Sequence, residues 1–311
     1  MSHPCFTRRA ALRLIGTGTA ALMAGASSKA FGAAANVLPM LTRKIPSSGE
    51  PLPVIGLGTW QSFDVGAAAA ERAPLREVLA EFSALGGRVI DSSPMYGNSE
   101  GVVGDLSGEL KLRSKLFVAT KVWTSGRAAG VTQMEDSLRK LQADPIDLMQ
   151  VHNLVDVGLH LETLREWKKR GRVRYLGITH YNAGSHDAVA KLVAAQVLDF
   201  VQINYSVGER EAEQRLLPLC QERGVAVIAN RPFASGDLFT RLRNRPLPAW
   251  AAEIGCETWA QVLLKFIVSH PAITCAIPAT SKVAHLRDNM KGGIGVMPEA
   301  KMRARIAAEA V

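Results

Sequence analysis

The chain has 311 residues, of which 47% are apolar and 21% are charged, a composition that is typical of a globular protein and excludes a disordered one. The formal net charge is +9, but the first 35 residues hold four basic residues and no acidic one, so nearly half of the excess charge belongs to that segment. The other basic residues are scattered, without a run and without interleaved aromatic residues, which argues against nucleic-acid binding.

Residues 1–35 have the order of a cleavable export signal. Arg8 and Arg9 precede a mildly apolar stretch that ends near Ala26, and small residues follow over 30–35. Paired arginines before such a mild stretch resemble a twin-arginine signal, which carries folded proteins to the periplasm. The apolar run is only about a dozen residues long, too short for a stable membrane span. We therefore expect an exported chain that uses the twin-arginine machinery and lacks a stable membrane span. A chance arginine pair before a tail is the alternative.

The four cysteines suggest neither a zinc site nor a redox pair. They are widely spaced and contain no Cys-x-x-Cys pattern. They are Cys5, Cys220, Cys256 and Cys275. Because Cys5 falls within the predicted signal, an odd number remains, and we expect these three to be buried free thiols.

From about residue 53 onward, short apolar runs alternate with stretches of helical pattern. The runs cover residues 54–58, 88–91, 116–120, 146–151, 174–178, 200–203, 225–229 and 274–277. Nearly continuous apolar strands that alternate with helices indicate a parallel sheet covered on both faces.

Two helical segments carry clear stop signals, and together with the eight runs they favour a barrel. Residues 75–85 end at Gly86-Gly87, and residues 161–169 end at Gly171. Eight strands, each followed by a helix, predict one (β/α)8 TIM barrel over 45–311. The Gly-x-Gly-x-x-Gly loop of a Rossmann domain is absent, since Gly56-Leu57-Gly58 lacks the third glycine.

Four ionisable residues follow or close successive predicted strands. Asp91 closes the second strand and Tyr96 follows it, while Lys121 and His152 close the third and the fourth. The C-terminal ends of barrel strands meet at one rim, where barrel enzymes carry their active sites. Singly, each residue has a structural explanation: a capping aspartate, a packed tyrosine, a solvated lysine or a core histidine. Their placement at successive strand ends favours a catalytic site.

These residue types suit the reduction of a carbonyl group. A carbonyl that accepts hydride develops negative charge on oxygen and needs a proton donor. Tyrosine, with a pKa of about 10, is a weak acid unaided, and a nearby lysine favours its phenolate. Asp91 would hold Lys121, and His152 would orient the substrate oxygen.

In order, strand position and flanking motifs, Asp91, Tyr96, Lys121 and His152 are similar to the catalytic tetrad of the aldo-keto reductases. The resemblance covers residues from about 45 to 292, and Asn153 stands where many members continue with Trp-Pro. It implies an NAD(P)H-dependent oxidoreductase that reduces aldehydes or ketones to alcohols, with Tyr96 as the general acid.

The same resemblance implies residues that hold nicotinamide. Thr179 and His180 stand where the family usually has Ser-Asn, which binds the carboxamide, and Gln202 matches a glutamine that also holds it. Asn230 stands where a tyrosine commonly stacks on the nicotinamide. Arg231 is then expected to cover the ring or to reach the pyrophosphate.

The segment after the last strand resembles the family's adenosine-phosphate pocket. The residues implied to bind a 2′-phosphate are Thr280, Ser281, Lys282 and Arg287, and Asn289 is implied to contact adenine. Hydroxyl, ammonium and guanidinium groups suit a phosphate, so NADPH is expected in preference to NADH. Ala279 and His285 replace the usual lysine and arginine. A basic helix start that faces solvent is the alternative interpretation.

Trp60, Met95 and Trp123 are expected to line the substrate pocket, with Phe63 as a further candidate. Such an aromatic wall suggests an apolar or aromatic aldehyde or ketone as the small-molecule partner. Packing in the core is the competing explanation for Trp60.

Two other functions stay open. One is a nicotinamide-nucleotide-binding sensor, or a redox subunit of an exported complex, with little turnover. The other is a barrel metallohydrolase that would use His152, His180 and Asp91, because three ligands of this kind suffice for a catalytic zinc ion. The usual pair of histidines one residue apart on the first strand does not occur, so no metal is expected.

Overall fold

This computed structural model describes residues 39–311. A short antiparallel hairpin is the first element of this part of the chain. Its strands are β1 (Thr42–Lys44) and β2 (Pro51–Pro53). Ile45 and Leu52 of the hairpin are fully buried in the same hydrophobic cluster as the inward-facing residues of the strands that follow. The hairpin thereby closes one end of the barrel.

Eight parallel strands form the barrel, each paired with its neighbours in chain order. They are β3 (Leu57–Gly58), β4 (Val89–Asp91), β5 (Phe117–Val122), β6 (Ile146–His152), β7 (Val173–Thr179), β8 (Phe200–Asn204), β9 (Ala226–Asn230) and β10 (Ile273–Ala276). The sheet closes on itself because Gly56 N donates to Ala276 O, and Ala276 N donates to Val54 O, each at 2.8 Å. The predicted (β/α)8 fold is confirmed.

The two glycines of Gly56-Leu57-Gly58 serve this closure. A Cβ on Gly56 would lie 2.8 Å from Val89 O, and a Cβ on Gly58 would lie 2.8 Å from Ile277 O. Either contact is too close for a side chain, so only glycine lets the first strand fit between its two neighbours. The motif is therefore part of the barrel seam.

Ten helices within the described residues surround the barrel. They are α1 (Ala69–Ala84), α2 (Ser99–Glu109), α3 (Arg127–Lys140), α4 (Val157–Lys169), α5 (His186–Ala195), α6 (Leu216–Glu222), α7 (Asp237–Leu242), α8 (Trp259–Val268), α9 (Val283–Lys291) and α10 (Ala300–Glu309). Both α1 and α4 begin earlier than the sequence pattern predicts. The first turn of α1 is mostly solvent-exposed and so lacks apolar periodicity, whereas the first turn of α4 is partly buried and ends at the buried polar residue His160.

Aromatic rings fill the lower part of the barrel interior. The Phe117 ring lies 5.8 Å from the Tyr175 ring and 5.9 Å from the Phe200 ring, measured between centroids. Since side chains alternate along a strand, Lys121 shares the inward face of β5 with Phe117. The predicted strand stops at residue 120 because Lys121 interrupts the apolar pattern, whereas β5 continues to Val122.

The three cysteines within residues 39–311 are free and buried, as predicted. Burial raises the pKa of Cys220 to about 12 and that of Cys256 to about 11, so both stay protonated at neutral pH. The predicted signal, residues 1–35, lies outside the described residues. In the part of the chain that is described, no helix is both long and apolar enough to cross a membrane.

Replacement of Phe117 by alanine should lower the free energy of unfolding by about 3–5 kcal/mol, because it opens a cavity among the barrel aromatics. Denaturant unfolding followed by circular dichroism measures the change. Val197→Ala is the control, since Val197 is 86% exposed and its change should stay within about 0.5 kcal/mol. Equal stability of the two variants would contradict the packing described for Phe117.

Candidate active site

A buried ion pair stands at the centre of the upper barrel. Lys121 Nζ lies 2.6 Å from Asp91 Oδ2 and also donates to Ser92 O at 2.6 Å. Both side chains are almost completely shielded from solvent. Burial by itself lowers the pKa of Lys121, but its interactions with Asp91 and Tyr96, the negative charge of Asp91 first, outweigh burial and raise the pKa overall. Lys121 is therefore an ammonium ion at neutral pH.

Two glutamines hold the other oxygen of Asp91. Gln202 Nε2 donates to Asp91 Oδ1 at 2.8 Å, and Gln150 Nε2 lies 3.4 Å from the same oxygen. Gln202 Oε1 in turn accepts from Thr179 Oγ1 at 3.3 Å. Gln150 was missed by the sequence analysis, although a polar residue within an apolar strand, two positions before His152, is a usable signal. The carboxylate is thus fixed from three strands.

Tyr96 lies in the turn that follows β4, above the ion pair. Lys121 Nζ is 5.0 Å from the centroid of its ring. Burial raises the pKa of Tyr96, and the charge of Lys121 opposes this effect without cancelling it. The expected lowering by Lys121 is therefore present, but burial exceeds it. Tyr96 is a protonated phenol at neutral pH, which is the form that a general acid requires.

His152 completes the tetrad at the end of β6. Its ring lies 6.2 Å from the Tyr96 ring, edge to face, and 6.2 Å from the Trp123 ring, between centroids. His152 Nδ1 is 3.2 Å from Ser93 Oγ. Burial, followed by the charges of Lys121 and His180, lowers the pKa of His152 from 6.5 to about 3. The imidazole is neutral at neutral pH, so its N–H can donate a hydrogen bond to a substrate oxygen, but it is too weak an acid to give up that proton.

One cavity of about 1020 Å³ covers this end of the barrel, and most of the predicted site residues line it. The predicted residues at its wall are Trp60, Asp91, Met95, Tyr96, Trp123, His152, Thr179, Gln202, Arg231, Thr280, Ser281 and Lys282. Lys121 lies beneath the wall, in contact with Asp91. Trp60, Met95 and Trp123 are 46%, 39% and 41% exposed, so they stand at an open apolar wall rather than in the core.

Three predicted cofactor residues are not brought to this cavity. The His180 ring lies 3.1 Å from Ser185 Oγ and stacks on Tyr181. Arg287 Nε donates to Glu81 Oε1 at 2.7 Å, which holds the guanidinium against α1. Asn289 is buried within α9.

Helix geometry explains the position of Arg287. Residues two apart on a helix point about 200° away from each other. His285 lines the cavity, so Arg287 faces the opposite side of α9. His285 was predicted only as a replacement for the family's arginine and not as a site residue.

The cavity has the polar groups that a nicotinamide dinucleotide needs. Thr280, Ser281 and Lys282 line the cavity and offer hydroxyls and positive charge for a phosphate. Asn230 and Arg231 also line it, and Asn230 Oδ1 and Arg231 Nε are buried without a hydrogen-bond partner among residues 39–311. A buried polar atom without a partner is costly, so both sites favour a ligand that supplies one. Residues 39–311 contain no group of three or more metal-ligating side chains.

Known proteins of one family are similar to this chain in sequence and fold. The model of the aldo/keto reductase family matches residues 54–303. The chain belongs to the aldo/keto reductase family. As a member it is an NAD(P)H-dependent oxidoreductase, and the predicted enzyme class is confirmed.

The relatives of this aldo-keto reductase span most of its length. Methylglyoxal reductase YeaE of Escherichia coli (strain K12) is 33% identical over 263 residues, 80% of this chain and 89% of the relative. NADP-dependent D-sorbitol-6-phosphate dehydrogenase of Malus domestica is 27% identical over 288 residues, 79% of this chain and 86% of the relative.

Solved structures share the fold. An aldo-keto reductase from Klebsiella pneumoniae in complex with NADPH has a TM-score of 0.70 at 25% identity, covering 86% of this chain and 95% of the other. The thermostable aldo-keto reductase Tm1743, solved with the inhibitor epalrestat, has a TM-score of 0.72 at 24% identity, covering 86% and 99%.

The imidazole resonances of His152 should not titrate between pH 5 and 8, because burial holds its pKa at about 3. The unfolded chain binds this proton near pH 6.5 and the folded chain does not, so His152 lowers stability only as pH falls from 6.5 toward 3. NMR of histidine-labelled protein measures the titration. His152→Gln assigns the resonances and should reduce the loss of stability in acid. A midpoint between pH 6 and 7 for His152 would contradict the neutral imidazole.

Proposed function

We propose that this aldo-keto reductase uses NADPH to reduce aldehydes or ketones to alcohols, with Tyr96 as the proton donor. The observation that carries the proposal is the buried Lys121–Asp91 pair, whose ammonium faces the Tyr96 ring beside a neutral His152. Bound NADPH supplies the hydride. The tetrad residues supply the proton and stabilise the oxygen that becomes negative.

Tyr96 is the proton donor in this arrangement. Tyr96 is protonated and lines the cavity, while neutral His152 can donate a hydrogen bond that orients the carbonyl oxygen. As Tyr96 releases its proton, the Lys121 ammonium stabilises the phenolate that forms. Asp91 keeps Lys121 charged and in place throughout. The roles of the four tetrad residues therefore follow from the buried ammonium of Lys121 and the groups around it.

The preference for NADPH is supported by three residues of the cavity wall. Lys282 brings positive charge there, and the hydroxyls of Thr280 and Ser281 can bind phosphate oxygens. The relative from Malus domestica is named as NADP-dependent, and the structure from Klebsiella pneumoniae holds NADPH. Arg231 and Gln202, which also line the cavity, would hold the remaining phosphate and the carboxamide.

The proposed substrates carry an apolar or aromatic part beside the carbonyl group. Trp60, Met95 and Trp123 give the cavity an apolar wall next to His152. Burial of apolar surface against such a wall stabilises a bound substrate by about 25 cal/mol per Å². Acetophenones and benzaldehydes are suitable probes.

Tyr96→Phe should lower kcat by at least about 100-fold, because the variant lacks the proton donor but keeps the ring. Its dissociation constant for NADPH should stay nearly unchanged. Fluorescence titration with NADPH and with NADH gives the binding constants, and absorbance at the nicotinamide band with an aromatic aldehyde gives turnover.

Three outcomes of these measurements separate the candidate functions. Consumption of NADPH by the wild type, lost in Tyr96→Phe, supports the reductase. Tight binding without consumption would favour the sensor or redox subunit. Full turnover in Tyr96→Phe would exclude its role as the acid.

We also propose that residues 1–35 direct this enzyme to the periplasm by the twin-arginine route. The paired Arg8 and Arg9 before a mildly apolar run support this. Replacing both arginines by lysine keeps the positive charge but should leave the full-length chain in the cytoplasm. Cell fractionation and the mass of the mature chain measure this. Equal periplasmic amounts of the two forms would contradict the route.

A further inference from the structure

The excess positive charge of the described chain lies at one face of the barrel. We define the lower face as residues 39–56, which include the hairpin, the connections between each α-helix and the strand after it, and the connection between α9 and α10. Residues 39–311 hold 33 basic and 28 acidic residues, since four of the 37 basic residues lie in the first 35. The lower face contains nine of these basic and four of these acidic residues, which leaves 24 of each elsewhere. The remainder of the described chain is therefore neutral.

Part of the positive charge at the lower face is unpaired. Glu50 already lies 3.1 Å from Arg88, between Oε1 and Nη2. Lys44, Lys111 and Lys115, in contrast, are exposed and form no ion pair among residues 39–311. These lysines are scattered along the sequence, and the barrel topology brings them to one rim. They are available to an anionic partner.

Exposed apolar side chains lie at the same face. Outside the cavity, and apart from the last residue of the chain, the exposed large apolar side chains among residues 39–311 are Leu85, Val197 and Val296. They are 38%, 86% and 63% exposed, and each lies in a connection of the lower face. A single exposed apolar residue is ordinary on a protein surface. Three that share the face with the excess lysines are typical of a surface that lies against lipid headgroups.

The described chain also begins at the lower face. Leu41 N donates to Gly293 O at 2.8 Å, and Met40 pairs with Ile294 in an antiparallel bridge. Because α9 begins beside the cavity, where His285 lines the wall, its end and the residues that follow it lie on the hairpin side. Residues 1–38, which include the proposed export signal, are therefore attached to the face opposite the cavity.

We propose that the lower face binds the surface of a membrane that contains anionic phospholipids. The three unpaired lysines contact the lipid phosphates, and the three exposed apolar side chains enter the boundary between headgroups and acyl chains. The apolar side chains and the attachment of the signal favour a lipid surface over a nucleic acid or an acidic protein. In this orientation the cavity faces away from the membrane and stays open to NADPH and substrate. The interaction does not depend on the reductase chemistry.

Sedimentation with vesicles tests the proposal on the chain from residue 36, which contains the complete closed barrel. Vesicles of equal parts of phosphatidylethanolamine and phosphatidylglycerol should bind this chain, and vesicles of phosphatidylcholine should not. Salt at about 1 M, where the Debye length is about 3 Å, should release most of the bound protein. Equal binding to the two kinds of vesicle, or binding to neither, would overturn the proposal.

A variant that combines Lys44→Gln, Lys111→Gln and Lys115→Gln locates the interaction. Its affinity for the anionic vesicles should fall by about fivefold for each lysine removed, the contribution of one basic residue near such a surface. Because all three side chains are exposed, the variant should fold as the wild type does, which circular dichroism checks. Unchanged affinity would contradict the assignment of the lower face.

The matched control removes three charges from the cavity side. Arg210, Arg241 and Arg243 are exposed, follow β8 or β9, and form no ion pair among residues 39–311. Their combined replacement by glutamine changes the net charge by the same amount and should leave vesicle binding nearly unchanged. If both variants lose affinity equally, only net charge matters and the proposal is wrong.

Two further measurements test the apolar contacts and the orientation. Val197→Ser and Val296→Ser should each weaken binding by about threefold, which corresponds to about 30 Å² of apolar surface at 25 cal/mol per Å². The dissociation constant for NADPH should stay the same with saturating vesicles, since the cavity faces away. Loss of NADPH binding on vesicles would place the cavity against the membrane and refute the orientation. Retention on heparin without binding to anionic vesicles would indicate a polyanion as the partner and exclude the lipid surface.

Discussion

The ammonium of Lys121 is buried inside a barrel of apolar strands, and the active site depends on its neutralisation. An isolated charge in such a place costs many kcal/mol. Asp91 lies 2.6 Å away and supplies the opposite charge. The lysine comes from β5 and the aspartate from β4, so the pair requires the two strands to be neighbours in register. Gln202 and Gln150 add hydrogen bonds from β8 and β6.

Along the strand direction, the packed hydrophobic interior and the polar active site occupy different levels of the barrel. Phe117, Tyr175 and Phe200 fill the lower interior, and the hairpin residues Ile45 and Leu52 close it. Polar side chains occupy the inward positions above them. The packed lower interior leaves little freedom for β5, which keeps Lys121 at a fixed height. A well-packed core thus determines the precision of the polar site above it.

The same buried charge sets the protonation states of its neighbours. Burial and the positive charge of Lys121 both disfavour protonation of His152, and the imidazole stays neutral. Burial also favours the protonated phenol of Tyr96, while Lys121 limits the rise of its pKa. Tyr96 therefore keeps a proton that it can donate, and His152 keeps a neutral ring that can orient the substrate oxygen. This division follows from electrostatics and needs no change of conformation.

The sequence alone determined the order of the strands and which residues close them, because apolar runs and stop signals are local. Asp91, Lys121 and His152 were therefore predicted together, as strand ends of a parallel barrel meet at one rim. Only the tertiary structure decided which way side chains point outside the strands. Arg287 is turned toward Glu81 by the rotation of α9, His285 takes its side of the cavity, and the His180 ring binds Ser185. Such directions depend on contacts between residues far apart in the chain, which local patterns do not contain.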